Sequence, residues 1–422
     1  MPGMMTPGAP KVRLAEPDRQ QLVPTSVCFD DLVPAEHPVR MLWTLLGTLD
    51  LSRFTDGITS VEGHAGRALL SPRMMLTLWL FGITEGVGSA RKIARLTLRD
   101  APYRWIVGDV SVSHDKLSAF RREHGVAFDG LFTDVIATLM HKGLLSLDVV
   151  SQDGTRTRAA ASAPSFRTFG SLLQCREQAA LHLKAVLAAS DDDEYSKAQH
   201  ARREAAAKDY QARVEAAIAT VHELQARRKL DDNPARASTT DAEARVMKMG
   251  DGGFRPAFNV QYAVAGSGLG GPRAVVGVRI TNVGSDMSSL TPMVEQIERR
   301  AGAYPKTLLA DGGHVRHEDL VATERHGVAV IMPPSERAKS IETLRQEGAP
   351  PEVIAWRERM ETPEAKEQYR ARASLCELNN AHQKSHHGID QFLVRGLAKV
   401  TCVILMGAVA TNLMQFGAAL LS

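Results

Sequence analysis

Three acidic side chains stand in settings that suit a hard divalent cation: Asp153 in SQDGT, Asp311 in LLADGG and Glu377 in ASLCELNNAHQK. Each aspartate follows a short apolar run, LLSLDVVSQ before one and PKTLLA before the other, and each precedes a glycine. That pattern predicts the end of a buried strand opening into a loop. Glu377 falls on a stretch read as helical, with Arg370 seven residues before it and Lys384 seven after. Seven residues is about two helical turns, so the three share a face, a carboxylate flanked by cations. An Asp, Asp, Glu order of this kind suggests metal-dependent phosphoryl transfer.

Each of these residues also has an ordinary structural use. An Asp before Gly is commonly a turn residue, and a Glu on a helix surface is commonly half of an ion pair. Asp241 in STTDAEAR and Asp251 in GDGG are rival carboxylates for which a turn role is natural. The block around them, STTDAEARVMKMGDGGFR, offers Arg245, Lys248 and Arg255 to a DNA backbone. His314, His317, His386 and His387 lack zinc spacing, and imidazole is a poor Mg²⁺ ligand, so they read as surface or DNA-contacting side chains.

The elements that must position these groups follow from periodicity. From about 25 to 145 the pattern is helical, with Ser71 before Pro72, Ser89 before ARK and Ser113 before HDK as helix starts. The segments 89–98 and 113–124, joined through APYRWIVGDV, resemble an extended helix-turn-helix whose last helix presents Lys116, Arg121 and Arg122 to DNA. Residues 171–233 contain neither Gly nor Pro, and read as a long helical hairpin broken near SDDDEY and inserted between strands. After it come strands FRPAFNVQYAV and RAVVGVRIT, a helix, strand KTLLAD, a helix, strand VAVIMPP, and helices from 337 to 417. This alternation predicts a mixed sheet covered by helices, an α/β (α+β) chain.

Composition sets outer limits. The 422 residues suffice for two domains and an insertion, and 44% hydrophobic with 23% charged residues is ordinary for a soluble globular chain. A net charge of +3 does not by itself argue for nucleic acid, although residues 86–125 carry eight Lys or Arg against four Asp or Glu. Four scattered cysteines give neither a zinc site nor a disulfide framework, which fits a reducing cytoplasm. The first 24 residues, rich in Pro and Gly, read as a flexible leader and not a signal peptide. Residues 400–422 carry no charge and are long enough to span a bilayer, but Asn412 and Gln415 interrupt them, and a core helix is expected.

The order of elements, with Asp153 on the first strand, Asp311 after the fourth and Glu377 on a late helix, resembles the ribonuclease H-like DDE transposases of bacterial insertion sequences. The blocks STTDAEARVMKMGDGGFRPAFNVQYAV, LLADGGHVRHEDL and FLVRGLAKV resemble that family's core, and the N-terminal helices its InsH-type domain. The resemblance implies a flexible leader (1–24), a helical DNA-binding domain (25–145) and a ribonuclease H-like catalytic core (146–422) carrying the insertion 171–233. It implies that Asp153, Asp311 and Glu377 are catalytic and hold two Mg²⁺ ions, Mn²⁺ substituting, roughly 3.5–4 Å apart. The partners implied are double-stranded DNA, as terminal inverted repeats and as target, and a second copy in a homodimer, with no membrane; the location implied is the bacterial cytoplasm, at the nucleoid. A catalytically inactive relative acting as a DNA-binding repressor, or a nuclease without strand transfer, is the alternative. Many relatives carry a Tyr, Arg, Glu, Lys signature; Tyr369, Arg372, Glu377 and Lys384 give Y-x2-R-x4-E-x6-K, one residue longer between Arg and Glu than the compact form. On an ideal helix that residue turns Arg372 away by about 100°, leaving Arg370 to replace it, while Lys384 keeps its phase as a DNA-phosphate contact.

Overall fold

The computed structural model describes residues 28–56, 69–189, 197–227, 234–266, 271–335 and 337–422. The expected leader and the expected break at SDDDEY lie outside them.

Among the described residues six α-helices come first: α1 (Pro38–Thr48), α2 (Pro72–Thr84), α3 (Ala90–Leu96), α4 (Ala101–Val107), α5 (His114–Glu123) and α6 (Gly125–His141). The predicted starts hold: the hydroxyls of Ser71, Ser89 and Ser113 accept from the amides of Met74, Lys92 and Lys116, satisfying donors that a helix leaves orphaned. APYRWIV, expected as a connection, is instead α4. Pro102 in its first turn and the left-handed φ of 56° at Gly108 bound it at either end.

The chain then forms β1 (Val149–Arg158), β2 (Phe166–Thr168), α7 (Phe169–Ala188), α8 (Lys197–Arg227), β3 (Arg236–Ser238), β4 (Arg245–Lys248), β5 (Phe254–Gly266) and β6 (Arg273–Thr281). It continues as α9 (Leu290–Ala301), β7 (Thr307–Leu309), α10 (His317–Arg325), β8 (Ala329–Ile331), α11 (Ile341–Gln346), α12 (Pro351–Glu361), α13 (Pro363–Arg372), α14 (Leu378–Ser385) and α15 (Leu397–Leu421). In the main sheet β1 lies between β5, antiparallel to it, and β7, parallel to it; β8 follows β7 in parallel, and β6 and β4 pair with β5. This is the expected helical region followed by a mixed sheet. β1 sits at its middle, where both edges are paired.

The insertion has its own footing. β2, just before α7, pairs antiparallel with β3, just after α8, so a short ribbon clasps its base. Leu172 of α7 buries against Val214, Ala217, Ile218 and Val221 of α8 and Ala235 and Ala237 beside them, a core separate from the main one. Away from that core their faces are largely exposed, Leu181 and Leu187 of α7 included.

The N-terminal helices and the sheet share one continuous apolar core, and α15 runs through it. Fourteen of its residues are buried, from Val400 to Gly417, against α1, α2, α6 and β6. By length and composition α15 could cross a membrane; its apolar surface is instead used inside the fold. Its one buried amide is fully matched: Asn412 Oδ1 accepts from the Val275 amide and its Nδ2 donates to the Val275 carbonyl, both at 2.8 Å. Gln296 of α9 grips Val278 of the same strand in the same way, at 2.7 and 2.9 Å. Two side-chain amides thus stand in for the missing neighbour of an edge strand. Arg300 of α9, buried, binds Asp129 and Thr133 of α6 and fastens the helical region to the sheet.

Candidate active site

Asp153 lies in the middle of the ten-residue β1, opposite Tyr262 of β5, and not at a strand end as expected. The glycine after it is not a turn residue. A Cβ at Gly154 would come within 2.1 Å of Gln261 Nε2 and 2.6 Å of Asp286 Oδ1, so a side chain here would displace this polar cluster. Asp311 does sit just past β7, capping a short 3₁₀ turn by accepting the Gly313 amide at 3.2 Å. Parallel pairing of β7 with β1 sets Leu309 against Ser151, so the end of β7 opens beside the middle of β1.

The third carboxylate arrives through a defect in a helix. Between α13 and α14 the backbone winds as a π turn over Ala373–Glu377. A π turn repeats every five residues or so and admits one residue more than an α turn. It absorbs the extra residue of the R-x4-E spacing, so Arg372 and Glu377 share a face after all. Arg372 Nη2 donates to Glu377 Oε1 at 2.7 Å, and Arg372 Nη1 stands 3.3 Å from Asp153 Oδ1. The expected 100° displacement of Arg372 is thereby corrected. Arg370, its expected replacement, is exposed and pairs with Glu367.

Two contacts hold the π turn in place. Cys376, buried at its centre, donates its thiol to the Ser151 carbonyl of β1 at 2.7 Å, and burial pushes that thiol's pKa up, keeping it neutral. Arg273 of β6 donates to the Ser374 carbonyl at 3.2 Å.

Around Arg372 the electrostatics are tightly drawn. Burial works against its cation, yet Asp153, Tyr369, Glu377 and Asp311 together hold its pKa above the ordinary guanidinium value. Asp153 is dominated by its own burial, which raises its pKa despite the attraction of Arg372. Its other oxygen, Oδ2, accepts from Asn380 Nδ2 at 3.0 Å. Asp153 and Glu377 thus meet on one guanidinium with Asp311 in electrostatic reach. Among the described residues no group of three His, Cys, Asp or Glu forms a ready metal cage.

Of the basic residues expected on DNA, Lys384 and Arg255 line a cleft of about 380 Å³ with Arg156, Arg158, Asp251 and Asp390. Burial lowers the Lys384 pKa, with Arg156 adding to the effect. Arg255 is tied to Asp251 at 2.7 Å. Lys248 is exposed at the end of β4; Arg245 turns back on its own loop, donating to the Ala242 and Ala244 carbonyls. On α5, Lys116 and Arg122 are exposed, but Arg121 turns inward at 8% exposure, stacks 4.4 Å over the Trp79 ring and donates to the Gly88 carbonyl. Burial drops its pKa to about 10. Arg121 is a packing residue, not the exposed cation expected.

The rival residues resolve into structure. Asp241 Oδ2 accepts from the Gly396 amide and Glu243 Oε2 from the Leu397 amide, so STTDAEAR caps the start of α15. Asp251 takes its turn role, accepting the Gly253 amide. His317 and His386 are exposed, but His314 and His387 are buried, against the surface role expected of them. His314 bonds Gln261, and His387 bonds Gln383 and His382.

Two family models match the chain: a transposase DDE domain over residues 336–416 and a transposase domain (DUF772) over residues 27–123. These two matches support a DDE transposase of insertion sequences. No curated protein and no solved structure gave a match. The DDE match takes in Arg372, Glu377, Lys384 and most of α15, while Asp153 and Asp311 fall outside both matched segments. DDE transposases generally use divalent metals. The donors here fit one, being carboxylate oxygens with a buried, unpartnered amide oxygen, Asn380 Oδ1, among them.

Sequence reasoning missed Asn380, Arg156, Arg158 and Cys376. Asn380 was within reach of it, since it follows Glu377 by three residues, one helical turn on the same face. Nothing in the sequence marks Cys376, whose role depends on β1 lying beneath it.

Proposed function

We propose that this transposase binds the ends of an insertion sequence, hydrolyses phosphodiester bonds there, and transfers the freed 3′-hydroxyls into target DNA. The observation that carries this reading is the meeting of Asp153 and Glu377 on Arg372, with Asp311 adjacent, beside a cleft lined by Arg156, Arg158, Arg255 and Lys384. Two divalent ions, when bound, supply activation of the attacking hydroxyl or water and neutralisation of the leaving oxygen in an in-line displacement. Asp153, Asp311 and Glu377 hold them and keep the reacting phosphate in register. The cleft cations neutralise the DNA backbone on either side of that phosphate. Lys384, one helical stretch beyond Glu377, holds a phosphate next to the cut. Exposed Lys116, Arg122 and Lys248 add sequence-independent contacts, and a homodimer bridges the two ends.

The test uses the full-length chain, Mg²⁺ or Mn²⁺, and a duplex carrying the inverted repeats that flank the gene. Nicking that leaves 3′-hydroxyls, followed by joined products, is the expected result. Retarded DNA with no cutting in either metal would instead favour an inactive DNA-binding relative. Replacing Lys384 and Arg255 with Ala should weaken binding and lower the slope of log affinity against log salt by about 2, since each phosphate contact contributes about 0.9.

A further inference from the structure

Asn380 sits at 8% exposure on the first turn of α14, directly beside Asp153. A carboxylate only accepts, so the amide must turn Nδ2 toward Asp153 Oδ2, which leaves Oδ1 facing the other way. That oxygen is buried and has no hydrogen-bond partner. A second orphan lies in the same cluster. Arg372 Nη1 is near enough to Asp153 Oδ1 to be attracted, at 3.3 Å, yet it is angled so that no hydrogen bond forms, and it too is buried without a partner. An unmatched acceptor and an unmatched donor among carboxylates are each destabilising unless something completes them. A cation completes the acceptor and a phosphate oxygen completes the donor.

We propose, resting on the metal-dependent reading above, that Asn380 is a further residue of the metal site, its Oδ1 serving as a neutral oxygen ligand to the divalent ion held by Asp153 and Glu377. Hard cations of this kind accept amide oxygens as well as carboxylates, and a neutral ligand adds no repulsion to a cluster already carrying three acids. Asn380 and Glu377, one helical turn apart, present their oxygens to the same side of α14. In this structure the Asn380 amide donates to Asp153, and Arg372 lies beside Asp153 and Glu377.

Mn²⁺ binding to the full-length chain, counted by electron paramagnetic resonance of the free ion, separates the outcomes without recourse to activity. Asn380→Ala should weaken Mn²⁺ binding about tenfold or more. Asn380→Asp keeps an oxygen but removes the donor to Asp153, so it should bind Mn²⁺ at least as tightly as the unaltered chain while melting at a lower temperature without metal. If Nδ2 merely steadied Asp153, Asn380→Asp would bind no better than Asn380→Ala, and the proposal falls. It falls equally if Asn380→Ala binds Mn²⁺ normally while Asp153→Asn does not. Should the unaltered chain take up no Mn²⁺ at millimolar concentration, the underlying metal reading fails and this inference with it.

Discussion

Two polar intrusions into apolar surroundings distinguish the halves of the last ninety residues. In α15, Asn412 is entirely buried, and both ends of its amide are matched by the backbone of Val275. In the π turn and α14, Arg372 and Asn380 are nearly as enclosed, yet each keeps one polar atom without a partner. Matching makes Asn412 a fastening, whereas the deficit around Asp153 is what the proposed metal contact would fill. The backbone tells the same story. α15 is regular from Leu397 to Leu421, while the helix bearing Glu377 contains a π turn, a form that costs stability and concentrates at functional sites.

The largest expected effect breaks function without breaking the fold. Asp153→Asn should take end cleavage below detection in a nicking assay while DNA retention in a gel persists. Because burial raises the Asp153 pKa, any stability the folded chain draws from this group is lost as pH rises from about the ordinary carboxylate value through the raised one. At neutral pH the ionised side chain is therefore a net cost, and the metal-free variant should melt no lower than the unaltered chain. A marked fall in melting temperature would erase the contrast with Asn412.

Asn412→Leu should show the opposite pattern. It leaves the Val275 amide and carbonyl buried and unmatched, a loss of about 3 kcal/mol in denaturant unfolding. A neutral result would mean that the edge of β6 is satisfied in another way.

The smallest effect sharpens the boundary between the two regions, where His387 joins α14 to the core. Burial depresses its pKa to about 3, with His382 and His386 adding to the effect. Its contribution is intact above the ordinary histidine value near 6.5 and fades as pH falls from there toward about 3, since the unfolded chain takes up the proton first. His387→Gln should flatten the acid limb of the stability profile over that interval. An unchanged limb would place its origin in the carboxylates.

Much of the scaffold was legible in the residues. Serine caps, the alternation of strands and helices after residue 254, and the absence of Gly and Pro from 171 to 227 are local signals, and local backbone chemistry is enough to produce what they mark. Helix α4 escaped because seven residues with a proline and a glycine at the ends look like a connection until Tyr103, Ile106 and Val107 are seen in the core.

The sequence by itself determined most of the chain's elements, the order of Asp153, Asp311 and Glu377, and the extra residue between Arg372 and Glu377, because each is a matter of residue type and spacing along one strand of backbone. Only the tertiary structure decided what that residue does. A spacing of five is a misfit on an α-helix and a match on a π turn, and which one forms depends on Cys376 and Ser374 finding partners on β1 and β6, more than a hundred residues away. The same holds for Arg121 and Arg122, adjacent and alike in sequence: one faces Trp79 and the other water, because the burial of a cation is set by the neighbours it meets and not by its own chemistry.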